Sequence, residues 1–190
     1  MNATRRAVLS AAVLAPTLVP AAAQAARMNP DVGPLVITKR AVVPAAPAAV
    51  WRAWTDPAVI TAYFAPQARV ELRVGGTYEL LFLASAPEGQ RGSEGCTILA
   101  YDPERMLAFT WNAPPSFARE RDLLTWVIVT LEPQERDATR VTLTHRGFGT
   151  DGAWPQVHAY FDRAWGSVLD HLVAHLSGGS QPFGEKPSAS

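Results

Sequence analysis

The stretch Trp154-Pro155-Gln156-Val157-His158-Ala159-Tyr160-Phe161-Asp162-Arg163-Ala164-Trp165-Gly166-Ser167-Val168-Leu169-Asp170-His171-Leu172-Val173-Ala174-His175-Leu176 decides the fold. Trp154, His158, Phe161, Trp165, Leu169, Leu172 and Leu176 recur at intervals of three and four, an apolar stripe along one α-helix with one histidine in it. Pro155 sits where a first helical turn tolerates it, and Ser177-Gly178-Gly179 stops the helix. At roughly 22 residues the helix is ~33 Å long, enough to cross a whole sheet. Gly166, in its middle, costs ~1 kcal/mol relative to Ala. Close approach to a sheet would offset that cost.

What the helix covers lies upstream. Arg69-Val70-Glu71-Leu72-Arg73-Val74 alternates in polarity and stops at Gly75-Gly76, a hairpin signal. Tyr78, Leu80 and Phe82 share one face of the next strand, which ends near Pro87-Glu88-Gly89. Cys96, Ile98 and Ala100 share a face in the strand after it, and Asp102-Pro103-Glu104-Arg105 turns the chain. Leu107, Phe109 and Trp111 alternate before Asn112-Ala113-Pro114-Pro115. Leu123 to Leu131 is almost continuous in β-formers, and Arg140 to His145 closes the series. Short strands separated by turn residues form an antiparallel meander.

Ahead of the meander, Leu35 to Val43 is a first strand, ended by Pro44 and Pro47. A helix over Ala48 to Thr55 stops at Asp56-Pro57, and a second short helix covers Ala58 to Phe64. The order is strand, two helices, six strands, long helix, an α+β domain whose last helix covers the apolar face of an antiparallel sheet. Residues 26–34 read as a loose leader and 178–190 as a disordered Gly/Ser/Pro tail.

The front of the chain has a different character. Arg5-Arg6 precedes an apolar run lasting to about Val19, and Ala23-Gln24-Ala25 is an A-x-A cleavage site. Residues 1–25 therefore read as a secretory signal peptide, its paired arginines matching the twin-arginine type. A membrane span needs ~20 apolar residues, and this run is shorter and broken by Pro16. The expected location is periplasmic or secreted, without stable membrane insertion after cleavage. Without residues 1–25, 15 basic residues face 17 acidic ones, a net charge of −2 with no basic run. Such a chain has no electrostatic footprint for nucleic acid. Cys96 is the only cysteine, which excludes an internal disulfide, a CxxC pair and a multi-cysteine zinc site.

Several stretches together resemble the START-like (SRPBCC) superfamily of helix-grip proteins. They are Val50-Trp51-Arg52-Ala53-Trp54-Thr55-Asp56-Pro57, Leu72-Arg73-Val74-Gly75-Gly76-Thr77-Tyr78, Asp102-Pro103-Glu104-Arg105 with Phe109-Thr110-Trp111, and Thr139-Arg140-Val141-Thr142-Leu143-Thr144-His145 with Gly147-Phe148. Trp165, Leu169 and Leu172 complete the series, which spans residues 35–177. Within the superfamily the likeness is to the family named for the C-terminal domain of the activator of Hsp90 ATPase. The resemblance implies a helix-grip (START-like, Bet v-like) fold, a curved antiparallel sheet around a long C-terminal helix with a cavity beneath it. It implies little chemistry, because carriers, receptors and cyclases share the fold. Co-chaperone action needs a cytosolic partner, which an export signal disfavours.

The expected cavity needs apolar walls and a few polar groups. The candidates for lining it are Tyr63, Phe64, Tyr78, Phe82, Trp111, Trp126, Phe161 and Trp165, with His145 and His158 as polar members. His145 shares a strand face with Val141 and Leu143, so it points at the helix or cavity. If the protein is an enzyme, His145 and His158 are its candidate acid and base. No residue is assigned as catalytic otherwise. His171 and His175 have i, i+4 spacing but lack the glutamate of HExxH and a third ligand, so no metal is assigned. No G-x-S-x-G or P-loop is present, and no cofactor is expected.

Three readings remain open: an exported protein binding a small apolar or aromatic ligand, a cyclase- or hydrolase-type enzyme using a cavity histidine, and a protein-interaction module. A closed apolar cavity favours the first, an open pocket with convergent titratable groups the second, and a filled core the third. Export is checked by intact mass. The secreted form should begin at about Ala26, and lysine at both Arg5 and Arg6 should trap the precursor inside. A full-length chain recovered only from the cytosol contradicts the reading.

Overall fold

A sheet of five antiparallel strands in the order β1-β7-β6-β5-β4 carries the architecture of the computed structural model, which describes residues 24–179. The chain runs β1 (Ile37–Val43), α1 (Pro47–Thr55), α2 (Pro57–Tyr63), β2 (Gln67–Val70), β3 (Tyr78–Leu81), β4 (Ile98–Asp102), β5 (Met106–Trp111), α3 (Ala118–Arg121), β6 (Thr125–Gln134), β7 (Ala138–Arg146) and α4 (Trp154–Leu176). Residues 1–23 and 180–190, holding most of the expected signal peptide and tail, lie outside the described residues.

Each expected strand and helix has its counterpart, with shifted ends. Pro47 and Pro57 open α1 and α2 at positions where a missing N–H costs nothing. Asp56 closes one helix and caps the next, its side chain accepting from the backbone N–H of Ala58. In β6, Thr125, Val127, Val129 and Leu131 point inward and the residues between them outward. In β7 the inward set is Thr139, Val141, Leu143 and His145, paired directly with β6. A register shift between Ile98 and Ala100 bends β4 against β5, as bulges do in curved sheets.

The meander breaks in one place. Arg69 to Val74 is not one strand: β2 ends at Val70, and Leu72 and Val74 are exposed. Gly75 and Gly76 lie in the turn that joins β2 to β3 as a hairpin, where Gly76 N–H donates to the Arg73 carbonyl at 2.8 Å. They also exchange hydrogen bonds with Ile98, at 2.8 Å each way. A Cβ at Gly76 would meet the Glu71 carbonyl oxygen at 2.2 Å, so glycine is required by close backbone approach. β2 and β3 thus form their own two-stranded sheet, joined to the β4 side by isolated bridges Thr77–Thr97 and Leu81–Gly92. The short helix α3, which sequence periodicity did not announce, follows the Pro114-Pro115 turn.

Helix α4 lies across the concave side. It buries Trp154, Val157, Phe161, Trp165, Val168, Leu169 and Leu172, and runs nearest to β1, where Lys39 meets Asp162 at 2.9 Å. Its first turn has no side-chain cap of its own. Buried Glu120, on α3, accepts from the Ala153 backbone N–H at 2.8 Å and places a carboxylate at the positive helix end.

The leader is not loose. Met28 bridges Leu124, Val32 bridges Gly149, and Gly33 N–H donates to Phe148 at 2.7 Å. The buried Asn29 amide donates to the Gly147 carbonyl, and Gln24 to the Thr110 hydroxyl. Residues 28–33 therefore pack on the chain just before β6 and just after β7, and Gln24, inside the expected signal peptide, reaches Thr110 of β5.

Gly166 also departs from expectation. A Cβ built there meets nothing within 4 Å, so no close approach to the sheet accounts for it. Gly166→Ala should therefore raise stability by about 0.5–1 kcal/mol, by restricting the unfolded chain and favouring the helix. Denaturant midpoints measure it, and a loss of stability contradicts the assigned packing.

Candidate functional site

Five aromatic side chains from four parts of the chain converge between α4 and the β3–β5 side of the sheet. Phe64 follows α2, Phe82 follows β3, Trp111 ends β5, and Phe161 and Trp165 descend from α4. Trp111 and Trp165 sit 5.4 Å apart between ring centroids, Phe64 packs on Trp165 edge-on at 5.9 Å, and Phe82 meets Trp111 at 6.5 Å. Such tilted and edge arrangements are the favoured aromatic geometries. They leave a cavity of about 380 Å³. Ala113, Pro114 and Pro115 close one side, Tyr160, Ala164 and Val168 the other, and Leu83 with Tyr160 rims the exposed mouth.

One wall is the loop after β3. Leu83, Gln90, Arg91, Gly92 and Ser93 line the cavity there. Two charged side chains hold this loop in shape. Arg121 donates to the carbonyls of Gly89 at 2.9 Å, Gly92 at 2.6 Å and Ala113. Glu94 accepts from the backbone N–H groups of Gly89 and Arg91 and from the Arg91 guanidinium. Burial alone would raise the Glu94 pKa, but these donors outweigh it and hold the carboxyl below the usual range. Gly92 passes so close to β3 that a Cβ would meet the Leu80 carbonyl oxygen at 1.9 Å.

The remaining candidates do not reach the cavity. The Tyr63 hydroxyl donates to the Ala53 carbonyl and the Tyr78 hydroxyl to that of Trp54, both at 3.0 Å. These two phenols are fully buried anchors of α1, with pKa values raised by burial. Trp126 lies on the outer face of β6 over Gly147, whose φ of 94° and contact with the indole both demand glycine. His158 is one position off the buried stripe, which passes through Val157. Its Nε2 lies 3.4 Å from the Val36 carbonyl, and its ring meets Phe148 edge-on.

His145 points inward, as its alternation with Val141 and Leu143 required, yet it is sealed behind the cavity wall. It is fully buried among Phe148, Phe161 and Trp165. The Trp165 indole N–H donates to its Nδ1 at 2.9 Å. A tryptophan N–H can only donate, so Nδ1 carries no proton. The neutral ring therefore carries its proton on Nε2, which donates to the Thr125 hydroxyl at 2.7 Å. That hydroxyl in turn donates to the Trp111 carbonyl at 2.8 Å. Burial, with a smaller push from His158, lowers the His145 pKa to about 3. Neutral at physiological pH and bonded at both nitrogens, it is no acid or base for a cavity occupant. It sets the position of two wall residues.

Cys96 is likewise inert, buried with its thiol pushed up to about 12 chiefly by burial. Among the described residues no group of three or more His, Cys, Asp or Glu could hold a metal ion. His175 stacks on Tyr63 rather than pairing with His171, which borders the cavity. Among the described residues no helix is long and apolar enough to cross a membrane.

The fold and this wall define an α+β helix-grip protein with an aromatic cavity between sheet and long helix. The sequence profile described as "Activator of Hsp90 ATPase homolog 1-like protein" matches residues 44–177. The chain belongs to that family, within the SRPBCC superfamily. Similar solved structures include an AHSA1-like protein from Rhizobium etli (22% identity, 86% of this chain and 95% of that one, TM-score 0.59). An Aha1 dimer from Colwellia psychrerythraea is 19% identical over 77% of this chain and 99% of that one, with TM-score 0.59. CalU16 from Micromonospora echinospora is 23% identical over 80% and 84%, with TM-score 0.55. At these identities the likeness is one of fold. No curated protein matches the chain in sequence.

The histidine makes a pH-dependent contribution whose sign is fixed. Its folded pKa lies below the unfolded value of 6.5, so the unfolded chain takes up the proton first as pH falls. The stabilisation is complete above the unfolded pKa and is lost as pH drops toward 3. His145→Leu should cost about 1–3 kcal/mol at neutral pH by stranding the Trp165 N–H. That difference should shrink by up to about 1.4 kcal/mol per pH unit once the pH falls below the unfolded pKa, because the variant lacks the titrating ring. Urea melts across the acid range measure it, and parallel curves for the two proteins contradict it.

Proposed function

We propose that this chain is an exported binding protein whose mature domain holds one small apolar or aromatic molecule between β5 and α4. The observation that carries the reading is the cavity of about 380 Å³ walled by Phe64, Phe82, Trp111, Phe161 and Trp165. That volume falls in the range of small-molecule sites, and apolar walls with few polar groups are their usual composition. The superfamily fold is compatible with such binding. Arg5-Arg6 and Ala23-Gln24-Ala25 support export to the periplasm or beyond.

The enzyme reading loses its two histidines, since His145 is sealed and His158 lies off the cavity. The other charged wall residues are committed to structure: Arg91 pairs with Glu94, and Arg121 binds three carbonyls. An interaction module would want a filled core at this position, and the open mouth speaks against it.

Ala164 faces the cavity from α4, so a larger side chain there occupies the space while the five aromatic residues themselves are kept. Ala164→Trp should lower the affinity for the neutral fluorophore N-phenyl-1-naphthylamine at least tenfold, with the melting temperature nearly unchanged. Native mass spectrometry of protein purified from its own host should show one retained small molecule per chain. Undiminished fluorophore binding in the filled variant contradicts this location for the site.

A further inference from the structure

We infer that the indole N–H of Trp111 is the hydrogen-bond donor that the cavity offers its occupant, which makes the preferred ligand a neutral, flat, apolar molecule with one acceptor atom on its edge. The inference rests on the cavity being a binding site. It follows from accounting for the buried donors on the wall. The Trp165 N–H is engaged by His145 Nδ1. Ser93 donates to the Tyr78 carbonyl while accepting from the Leu80 N–H, and the Asn112 amide donates to the Glu94 carbonyl. Both wall arginines are engaged as described above, Ser167 donates to the Arg163 carbonyl, and His171 has an interaction of its own. Gln90 and Tyr160 sit at the exposed rim, where water satisfies them.

Trp111 is different. It is 4% exposed, and its indole nitrogen has no hydrogen-bond partner among the described residues. It is not one of the sealed orphans either. Trp54 Nε1 is such an orphan, cut off from both solvent and partners, and Trp54 borders neither the aromatic cavity nor the outer groove. Trp111 borders the aromatic cavity and not the polar groove on the outer face, and the cavity is the space we assign to its N–H. The indole cannot turn away. Phe64 stacks on it at 24°, Phe82 and Phe109 meet it edge-on, and its carbonyl is held by Thr125. A donor fixed in an apolar enclosure rejects ligands that leave it unpaired and selects those bringing an acceptor. Both wall guanidinium groups are already paired, so neither offers an anionic acceptor a contact that a neutral one lacks.

The test uses two molecules of one shape, naphthalene and quinoline, which differ in one ring CH replaced by an acceptor nitrogen. Mildly alkaline buffer keeps quinoline neutral. Dissociation constants of both are measured for the wild-type protein and for Trp111→Phe, and the readout is the quinoline-to-naphthalene preference. Trp111→Phe should reduce that preference about fivefold, the worth of one ordinary hydrogen bond, whatever the change in the affinity for naphthalene itself. Independently of any variant, the Trp111 Nε1–H resonance of ¹⁵N-labelled wild-type protein should move downfield with quinoline and not with naphthalene. If naphthalene binds but the preference survives the substitution and the resonance stays still, this inference is overturned and the cavity reading stands. If neither molecule binds, the cavity reading falls and takes the inference with it.

Discussion

The bond from the Trp165 indole N–H to His145 Nδ1 is the constraint on which the cavity wall depends. It joins the long helix to the interior strand β7, and the proton it forces onto Nε2 carries the constraint onward. Nε2 donates to Thr125 on β6, and Thr125 donates to the carbonyl of Trp111 on β5. One run of donors, all in one direction, crosses helix, β7, β6 and β5 and ends at the second tryptophan of the wall. In a low-dielectric interior each such bond is stronger than in water, and a missing partner correspondingly costly. The histidine that looks chemical in the sequence is therefore the part that keeps two tryptophans apart at their observed spacing.

The cavity survives because the helix approaches the sheet closely at β1 and stands off it toward β5. α4 runs nearest β1, tied by Lys39 to Asp162 and by the buried stripe from Trp154 to Leu172. Toward β5 the gap is spanned by aromatic rings instead of backbone contact. The loop after β3 then has to stand up as a wall with no strand pairing beyond a short ladder at its base, around the Leu81–Gly92 bridge. Arg121 and Glu94 supply the missing order by satisfying backbone carbonyls and N–H groups that a longer ladder would otherwise pair. Charge here serves the backbone, which explains why so many polar residues border an apolar space.

The strands and helices were legible because their periods are clean, and the long helix with Pro155 and Gly178 was legible almost to the residue. The site was half legible. Phe64, Phe82, Trp111, Phe161 and Trp165 follow from alternation and from the helical stripe, whereas Trp126 does not. Leu123 to Leu131 is apolar nearly throughout, so its phase is hidden, and the inward set begins with a polar Thr125 whose role depends on a residue twenty positions away. His158 fails for a similar reason, since Val157 and His158 both fit a three–four spacing. Arg121 and the 83–93 wall had no local signal, because a buried arginine that binds carbonyls depends on tertiary placement alone. Tyr160, Ala164 and Val168 could have been found by following the helix four residues at a time beside the main stripe.

The account turns on the state of one imidazole. Long-range ¹H–¹⁵N correlation NMR of histidine-labelled protein reads the protonation of both ring nitrogens of His145 directly. The predicted spectrum has a proton-bearing Nε2 and a bare Nδ1 at neutral pH, unchanged on acidification until well below the ordinary histidine range. A proton on Nδ1, or an imidazolium forming near pH 6.5, would contradict the donor chain and with it the rigid wall.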